Sequence, residues 1–523
     1  MFRKQTFDYI IYNKGFLFFK NQQHELLKKL RIRDYVDGIL LEFRKLRLSV
    51  PPKALVRRDE MEFIDETYIN TLLQSEDLLN KGYQKEIISK GLDAKGLSLK
   101  ESATLLNINS PDLLNELFHA AKKVKEKIYG NRLVLFAPLY VTNLCVNNCL
   151  YCAFRKDNKE LQRKTLTLDE IEEEARYLVL TGQKRILLVA GEHPKKATVE
   201  FIGEAIDRIY TINFNGNNIR RLNVNTAPLS LEQFKELKSF GIGTYQCFQE
   251  TYHFRTYRQM HSDGPKKDFA WRLYAMDRAL QAGIDDVGIG ALFGLTEHKF
   301  ETLALLMHAF DLDHKYGIGP HTISIPRLEP ALNAPAALNP PHAVDDLSFK
   351  KLIAVIRLAV PYTGIILSTR EKAELRRELF EVGVSQISAG SRTAPGAYKE
   401  SQQSIDKQTL EQFQLGDHRS LDEVVKDITS LGYMPSFCTA CYRSQRTGDR
   451  FMELAKSGNI GKICVPNAMT TFEEYLNDFA SDETKKIGSE FLVEELNKIN
   501  GVTKKKTQNM IKRVDHGERD IYL

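Results

Sequence analysis

The sequence predicts an α/β protein built on a parallel barrel of eight strand–helix units, a (β/α)8 barrel of the TIM type. Between residues 131 and 417, short apolar runs alternate with charged segments of helical period, which indicates a parallel sheet with helices outside it. Polar or glycine-rich loops follow these runs, and the reactive groups of a barrel lie at the carboxyl ends of its strands. An open doubly wound sheet is the structural rival, but no G-x-G-x-x-G fingerprint follows the first strand.

Length and charge agree with this fold class and exclude several functions. The 523 residues suit a barrel of about 250 residues with additions at both ends. The hydrophobic fraction of 42% excludes a disordered chain. The first 50 residues hold 11 basic and 5 acidic side chains, which accounts for the whole net charge of +6. The neutral remainder does not favour nucleic-acid binding, and the absence of an apolar stretch of about 18 residues predicts a soluble protein.

Two segments precede the predicted barrel. Residues 1–58 form a basic extension that ends in the linker PPKALVRR, and they favour either an organelle-targeting leader or a plain helical extension. A leader would place the protein in a hydrogenosomal or mitochondrion-like matrix, whereas a bacterial protein would be cytoplasmic. Residues 59–130 have a helical period and a capping box at Ser98–Glu101, so they predict a helical lead-in. The run RLVLFAPLYV then predicts the first strand.

The barrel and the region after it are predicted from the same periodicities. Further strands are expected at 185–190, 222–224, 243–246, 287–292, 322–325 and 365–368. Helices are expected at 168–181, 199–210, 231–240, 267–282, 299–316 and 349–360. Residues 401–417 are polar and predict a loop or linker. Residues 418–523 predict a smaller, mostly helical domain, and it contains the last three cysteines of the sequence.

Six of the seven cysteines fall into two triplets. Cys145, Cys149 and Cys152 have the spacing C-x3-C-x2-C directly after the first predicted strand. Three thiolates on one tight loop can hold three irons of a 4Fe-4S cluster and leave the fourth iron open to a small molecule. A structural zinc loop is the alternative, but such sites usually show C-x2-C pairs in closed sets of four ligands.

The second triplet is Cys438, Cys441 and Cys464, with the spacing C-x2-C-x22-C. A C-x2-C pair alone often binds zinc. With a third cysteine and no nearby histidine the set stays one ligand short, which favours a second cluster with an accessible iron. A glycine-rich turn at residues 457–461 would bring Cys464 back beside the pair.

Around the first triplet the sequence resembles the radical S-adenosylmethionine (SAM) enzymes. In that family the open iron chelates SAM, and an electron from the cluster cleaves SAM to give a 5′-deoxyadenosyl radical. The resemblance implies that Cys145, Cys149 and Cys152 are the cluster ligands. It also implies SAM contacts from Tyr151 beside the adenine, Gly191 and Glu192 at the amino group, and Asn225 and Glu250 at the ribose or methionine. For Glu250 a salt bridge at the barrel mouth is the alternative.

Both triplets together narrow the resemblance to the tyrosine lyases of di-iron hydrogenase maturation. The likeness begins at about residue 85 and includes GIGTYQCFQETYH, GPHTISIPRLEPALN and SFCTACYRSQRTGDRFMELAKSG. It implies that L-tyrosine is cleaved to p-cresol and dehydroglycine, and that dehydroglycine yields carbon monoxide and cyanide. Both diatomics would be captured on a labile iron of the auxiliary 4Fe-4S cluster, together with a free cysteine. The implied partners are a reduced ferredoxin- or flavodoxin-type electron donor, a scaffold GTPase and a companion radical SAM maturase.

The substrate of such an enzyme is a zwitterion whose carboxylate needs a fixed cation. The planar fork of arginine suits a carboxylate. Arg370 is the first candidate, with Ser388 as a hydrogen-bonding neighbour, and Arg327 is the second. A salt bridge with Glu329 or Glu371 is the alternative role of either arginine.

The labile iron needs a protein ligand other than a thiolate, and imidazole suits iron. His321 in GPHTIS is the predicted ligand, with a hydrogen-bonded core histidine as the alternative. His253 and His261 are less favoured candidates.

Three other functions compete with this reading. The 2-iminoacetate synthase of thiamine biosynthesis is also a radical tyrosine lyase, but it has no use for the second triplet. A sulfur inserter resembling biotin synthase would carry its auxiliary ligands inside the barrel. A non-catalytic iron–sulfur or zinc assembly protein would not need polar loops that converge at the catalytic end of a barrel.

Overall fold

In the computed structural model, the described residues before the barrel contain four α-helices. The structure describes residues 63–400 and 410–523, so the predicted basic extension 1–58 lies outside the described residues. The lead-in helices are α1 (Glu66–Leu73), α2 (Lys81–Gly91), α3 (Leu99–Leu106) and α4 (Pro111–Tyr129). The predicted capping box opens α3, because Ser98 accepts from the N–H of Glu101 and the Glu101 carboxylate accepts from the N–H of Ser98.

Eight parallel strands then close into a barrel, as the sequence predicts. They are β1 (Arg132–Thr142), β2 (Arg185–Ala190), β3 (Arg221–Asn225), β4 (Thr244–Gln246), β5 (Asp286–Gly290), β6 (Thr322–Ser324), β7 (Gly364–Leu367) and β8 (Gln386–Ser388). Each strand pairs in parallel with the next along the chain, and β1 pairs with both β2 and β8. This closure leaves the barrel without a free edge.

Helices cover the outside of the barrel. They are α5 (Leu168–Leu180), α6 (Val199–Tyr210), α7 (Leu231–Ser239), α8 (Phe254–Met260), α9 (Phe269–Leu273), α10 (Ala275–Gln281), α11 (His298–Tyr316), α12 (Pro335–Leu338), α13 (Asp346–Ala359), α14 (Ala373–Phe380) and α15 (Ala397–Glu400). The single helix predicted at 267–282 is wrong, because α9 and α10 break at Tyr274. In a continuous helix the carbonyl of Trp271 would accept from the N–H of residue 275. Here it accepts instead from the Arg278 guanidinium, at 2.5 Å.

The C-terminal region is mostly helical and contains one strand that belongs to the barrel sheet. Its elements are α16 (Leu421–Ser430), β9 (Met434–Ser436), α17 (Ala440–Arg443), α18 (Gly448–Lys456), α19 (Gly461–Asp478), α20 (Asp482–Lys498) and α21 (Gly501–Asp515). β9 pairs in parallel with the first three residues of β1. Within the described residues, no helix combines the length and the apolarity needed to cross a membrane.

Candidate active site and second cysteine site

The first cysteine triplet lies on the loop after β1, at the carboxyl end of the barrel. Cys149 is buried, and Cys145 and Cys152 are half-buried. Neighbouring loops hold the backbone, because Val146 donates to the Glu192 carbonyl at 2.8 Å and Leu150 donates to the Met260 carbonyl at 3.0 Å. All three thiols line one cavity with a volume of about 220 Å³.

Polar groups surround the sulfurs of this loop. The amide of Asn147 lies 3.7 Å from the Sγ of Cys145, and the amide of Gln412 lies 3.6 Å from the Sγ of Cys152. Burial raises the pKa of Cys149 to about 12, and it also raises the pKa of Cys152. A metal that binds here must therefore displace protons from these thiols.

The cavity contains most of the site residues that the sequence predicts. Besides the three cysteines it is lined by Tyr151, Gly191, Glu192, Asn225, Glu250, Arg370 and Ser388. These residues follow the ends of six different strands, so only the closed barrel brings them together.

Gly191 and Glu192 connect β2 to the cysteine loop. The N–H of Gly191 donates to the Thr142 carbonyl at 2.9 Å, and a Cβ at this position would lie 2.5 Å from the carbonyl oxygen of Leu144. Only glycine therefore allows this close approach. The carboxylate of Glu192 accepts from the Asn147 amide at 2.5 Å, which directs it towards the cysteine loop.

Tyr151 is held by a buried histidine that lies behind the cavity lining. Its hydroxyl lies 2.7 Å from Nε2 of His261, and burial is the main cause that lowers the pKa of His261 well below its usual value. His261 therefore belongs to the surroundings of the first triplet. The third histidine candidate is His253, whose ring contacts Thr256 at 2.7 Å. It does not line the cavity that contains Cys438, Cys441 and Cys464.

Glu250 carries the clearest backbone strain in the cavity. Its φ angle is 70°, in the left-handed region that few side chains adopt. Its carboxylate lies 2.7 Å from Lys266 and 3.6 Å from Arg272. Burial alone would raise the pKa of Glu250, but these two cations outweigh it and lower the pKa. Glu250 therefore forms the salt bridge at the barrel mouth that the sequence indicates as its alternative role. The two cations keep its carboxylate ionised at the cavity wall.

Arg370 lines the cavity, and its guanidinium has no acidic partner among the residues that the structure describes. The group stacks on the ring of Phe413 at 3.3 Å and donates one long hydrogen bond of 3.4 Å to the carbonyl of Arg327. Burial lowers the pKa of Arg370. Nearby, the hydroxyl of Ser388 accepts from the N–H of Thr369 at 3.1 Å. In the described part of the chain, Arg370 forms no ion pair, so its fork is available to a carboxylate.

Arg327, the second candidate, is not brought to the cavity. Its Nε donates to Glu371 at 3.0 Å, and its NH1 donates to Asp346 at 2.9 Å. The salt-bridge alternative therefore describes this residue, with Glu371 rather than Glu329 as its partner.

The second triplet lies at the opposite, amino-terminal end of the barrel. Cys438 follows β9, Cys441 lies in α17 and Cys464 lies in the first turn of α19. The turn between α18 and α19 brings Cys464 back beside the pair. The three cysteines and His321 line one cavity of about 50 Å³.

Buried arginines surround this second cavity. Arg132 and Arg185 begin β1 and β2, line the cavity and are each less than 10% exposed. The Nε atoms of both arginines have no hydrogen-bond partner among the described residues. Arg221 is paired with Asp286 at 3.1 Å. Because unpaired buried cations are costly, the cavity suits an anionic group. Sequence reasoning missed these arginines.

His321 is a neutral imidazole in the same cavity. Its ring lies 4.4 Å from that of Phe451. Its Nδ1 lies 3.5 Å from the Asp286 carboxylate but forms no hydrogen bond with any described residue. Burial is the main cause that lowers the pKa of His321 to about 4. Neutral imidazole is the form that binds metals.

The described residues contain no preformed site for a single metal ion. Within residues 63–400 and 410–523, no group of three His, Cys, Asp or Glu side chains is arranged to hold one metal ion. A zinc ion would need its ligands about 2.0–2.3 Å away. Three thiols that line one cavity, as in each triplet, suit a cluster that distributes its ligands over several irons.

Two family models match the barrel. The model of the Radical SAM superfamily matches residues 139–307, and that of the Biotin and Thiamin Synthesis associated domain matches residues 324–434. The first match implies a 4Fe-4S cluster and SAM. The first cavity fits both, since three thiols share it and Gly191 lets the loop after β2 approach the cysteine loop closely.

Relatives of known structure or function match far more of the chain. The structure of HydG, a maturase of the FeFe-hydrogenase, is 48% identical with a TM-score of 0.84, and the match covers 88% of this chain and 100% of that one. HydG from Carboxydothermus hydrogenoformans is 44% identical with a TM-score of 0.75, over 86% and 97% of the two chains. The 2-iminoacetate synthase of Salmonella typhimurium is 32% identical over 66% of this chain and 89% of its own. The chain therefore belongs to the radical SAM superfamily and, within it, to the HydG-type maturases of the FeFe-hydrogenase.

Proposed function

We propose that the protein is a radical SAM L-tyrosine lyase that makes the iron–CO–CN precursor of the hydrogenase H-cluster. It cleaves tyrosine at the first cavity into p-cresol and dehydroglycine. The second cysteine site then converts dehydroglycine to carbon monoxide and cyanide on a labile iron. The observation that carries the proposal is the pair of cysteine-lined cavities at opposite ends of one barrel.

The first cavity supplies the groups that this cleavage needs. When bound, the reduced cluster and SAM supply a 5′-deoxyadenosyl radical that takes hydrogen from the substrate amino group. Cys145, Cys149 and Cys152 hold the cluster, and the amides of Asn147 and Gln412 face two of their sulfurs. Tyr151 packs beside the adenine, Gly191 and Glu192 receive the SAM amino group, and Asn225 and Glu250 contact the ribose or methionine.

Arg370 holds the substrate carboxylate. Its stacking on Phe413 fixes the plane of the guanidinium, so little conformational entropy is lost when a carboxylate binds in a bidentate manner. Ser388 donates a further hydrogen bond from the neighbouring strand end. Held in this way, the amino acid keeps one orientation while its Cα–Cβ bond breaks.

The second cavity binds the auxiliary 4Fe-4S cluster through Cys438, Cys441 and Cys464. His321 offers a neutral imidazole to the labile iron, which also takes up a free cysteine. Arg132 and Arg185 offset the negative charge of the bound groups. In this proposal residues 59–130 are the lead-in, 131–417 the barrel and 418–523 the auxiliary cluster domain.

The proposal includes three protein partners. A reduced ferredoxin- or flavodoxin-type protein supplies the electron, a scaffold GTPase receives the iron precursor, and a companion radical SAM maturase completes the cofactor. The basic segment 1–58 is proposed as an organelle leader, and it lies outside the described residues.

The second candidate function is 2-iminoacetate synthase. It is favoured by the 32% identity to the Salmonella enzyme. It would form the same p-cresol and dehydroglycine but no carbon monoxide, and it would leave the second cysteine cavity unused. A non-catalytic iron–sulfur or zinc assembly protein would cleave no SAM under reducing conditions.

One experiment separates these functions. Reconstituted protein is given SAM, dithionite and L-tyrosine without oxygen, and carbon monoxide is trapped by deoxyhaemoglobin. We expect a rising carbon monoxide signal, and p-cresol without carbon monoxide would favour 2-iminoacetate synthase. The double variant Cys438→Ser, Cys441→Ser is expected to form p-cresol but no carbon monoxide. If both products survived, the role assigned to the second triplet would be wrong.

A further inference from the structure

The floor of the first cavity carries a polar group that the proposed chemistry does not use. Gln246 is the last residue of β4, lines the cavity and is 2% exposed. No described residue donates a hydrogen bond to its Oε1. Leaving a buried amide oxygen unsatisfied costs about 1–3 kcal/mol, so this position is suited to a ligand that brings a donor.

Strand register places Gln246 deep in the barrel. Gln246 pairs with Gly288 of β5. Gly288 lies two residues before Gly290, which pairs with Ser324, so Gln246 is further from the carboxyl end of the barrel than that pair. A Cβ at Gly288 would lie 2.8 Å from the Cγ of Gln246 and closer still to the hydroxyl of Thr322. Because Gly288 has no side chain, the side chains of Gln246 and Thr322 both fit beside it. The Thr322 hydroxyl also lacks a hydrogen-bond partner within the described ranges, so two unsatisfied polar side chains flank one glycine.

We propose that Gln246 recognises the para-hydroxyl group of the substrate, so that the cavity floor selects a phenol over a phenyl ring. This inference rests on the proposed function, in which L-tyrosine is the substrate. Arg370 holds the carboxylate on the loop after β7, and the aromatic ring then points down the barrel axis. The phenol hydroxyl can donate a hydrogen bond to the Oε1 of Gln246, which lines the cavity.

The walls between these two anchors are suited to an aromatic ring. Phe136, Leu187 and Ile366 line the cavity, and all three are apolar. A cavity with apolar walls and a few placed polar groups fixes the orientation of its ligand through those groups. Gln246 is thus a specificity-determining residue, remote from the bond that breaks.

Binding without turnover tests this role directly. The dissociation constants of L-tyrosine and L-phenylalanine are measured on the reconstituted full chain with SAM and without reductant. Gln246→Met replaces the amide by an apolar group of similar length. Gln249→Met is the matched control, because the Oε1 of Gln249 is also buried and unsatisfied although this residue does not line the cavity.

The wild type is expected to prefer tyrosine by roughly 5- to 150-fold, the range that corresponds to 1–3 kcal/mol. Gln246→Met should bring this ratio close to one, and Gln249→Met should preserve it. An unchanged ratio in Gln246→Met would overturn the inference, since water alone would then satisfy the amide, and the proposed function would stand. A wild type that neither binds nor cleaves tyrosine would overturn the proposed function itself. If Gln246→Met fails to fold, Gln246→Leu tests the same contact, and an unchanged ratio there is the contrary result.

Discussion

Replacing Arg370 by lysine is expected to weaken L-tyrosine binding and to leave tyramine binding nearly unchanged. The guanidinium stacks on Phe413, lines the first cavity and has no acidic partner among the described residues. A hydrogen bond to a charged group contributes about 1.5–3 kcal/mol, and lysine keeps the charge but loses one arm of the fork. The expected loss of tyrosine affinity is therefore roughly 10- to 150-fold.

Tyramine makes this prediction specific to the carboxylate. It keeps the ring and the amine of tyrosine, so the two ligands and the two proteins form a cycle that isolates the contact between guanidinium and carboxylate. Calorimetry on reconstituted protein with SAM and without reductant gives the four dissociation constants. Arg377→Lys is the matched control, because Arg377 is exposed and pairs with Asp427 at 2.9 Å outside the cavity.

Two results would refute this reasoning. An equal loss for tyramine and tyrosine would mean that Arg370 supports the shape of the cavity rather than the carboxylate. A loss of tyrosine affinity in Arg327→Lys but not in Arg370→Lys would move the anchor to a residue that does not line the cavity.

Three further predictions concern stability and SAM binding. Asp417→Asn leaves the fully buried Arg376 without a full charge partner and should lower the free energy of unfolding by about 3–5 kcal/mol, measured by urea denaturation; an unchanged midpoint would contradict it. Gly191→Ala places a Cβ 2.5 Å from the Leu144 carbonyl oxygen. The loop after β1 should be displaced, which should weaken SAM binding by up to about 100-fold, measured by equilibrium dialysis at unchanged iron content. Equal SAM affinity in the variant would show that the loop accommodates the methyl group. Burial raises the pKa of Glu301 from 4.5 to about 8, so the folded chain holds a proton that the unfolded chain releases. The wild type should therefore lose stability between about pH 4.5 and 8, and Glu301→Gln should not; parallel urea midpoints would refute this.

Much of the fold could be predicted from the sequence because each barrel element has its own periodicity. The strand at 185–190 and the helix at 199–210 have the predicted bounds. The break at Tyr274 could not be predicted, since it depends on the Arg278 side chain taking a backbone acceptor. The very short β8, Gln386–Ser388, is defined by its pairing with β1 more than by its own pattern.

In the candidate site, too, the residues of a local motif could be predicted from the sequence, and the residues brought in from distant segments could not. The cysteine triplet is a local motif and was readable from its spacing. Lys266 and Arg272, which hold Glu250, come from the turn before α9 and from α9 itself, and they match no motif. Gln412 lies in a segment whose composition predicted a linker, yet its amide reaches Cys152. At the other end, Arg132 begins its strand like any charged flanking residue, and only the closed barrel shows that it faces the second cavity.

The pairing of β9 with the start of β1 has a consequence for the order in which the chain assembles. Residues 132–134 lie beside residues 434–436, about 300 positions later in the sequence. During synthesis the first triplet emerges early, next to its own strand, whereas the second cannot be completed until β9 has been made and added to the barrel. Contacts between such distant segments form late because their loop-closure cost comes first. Completion of the second triplet is therefore coupled to the last stage of folding, and a nascent chain acquires the loop of its first triplet before the second triplet is assembled.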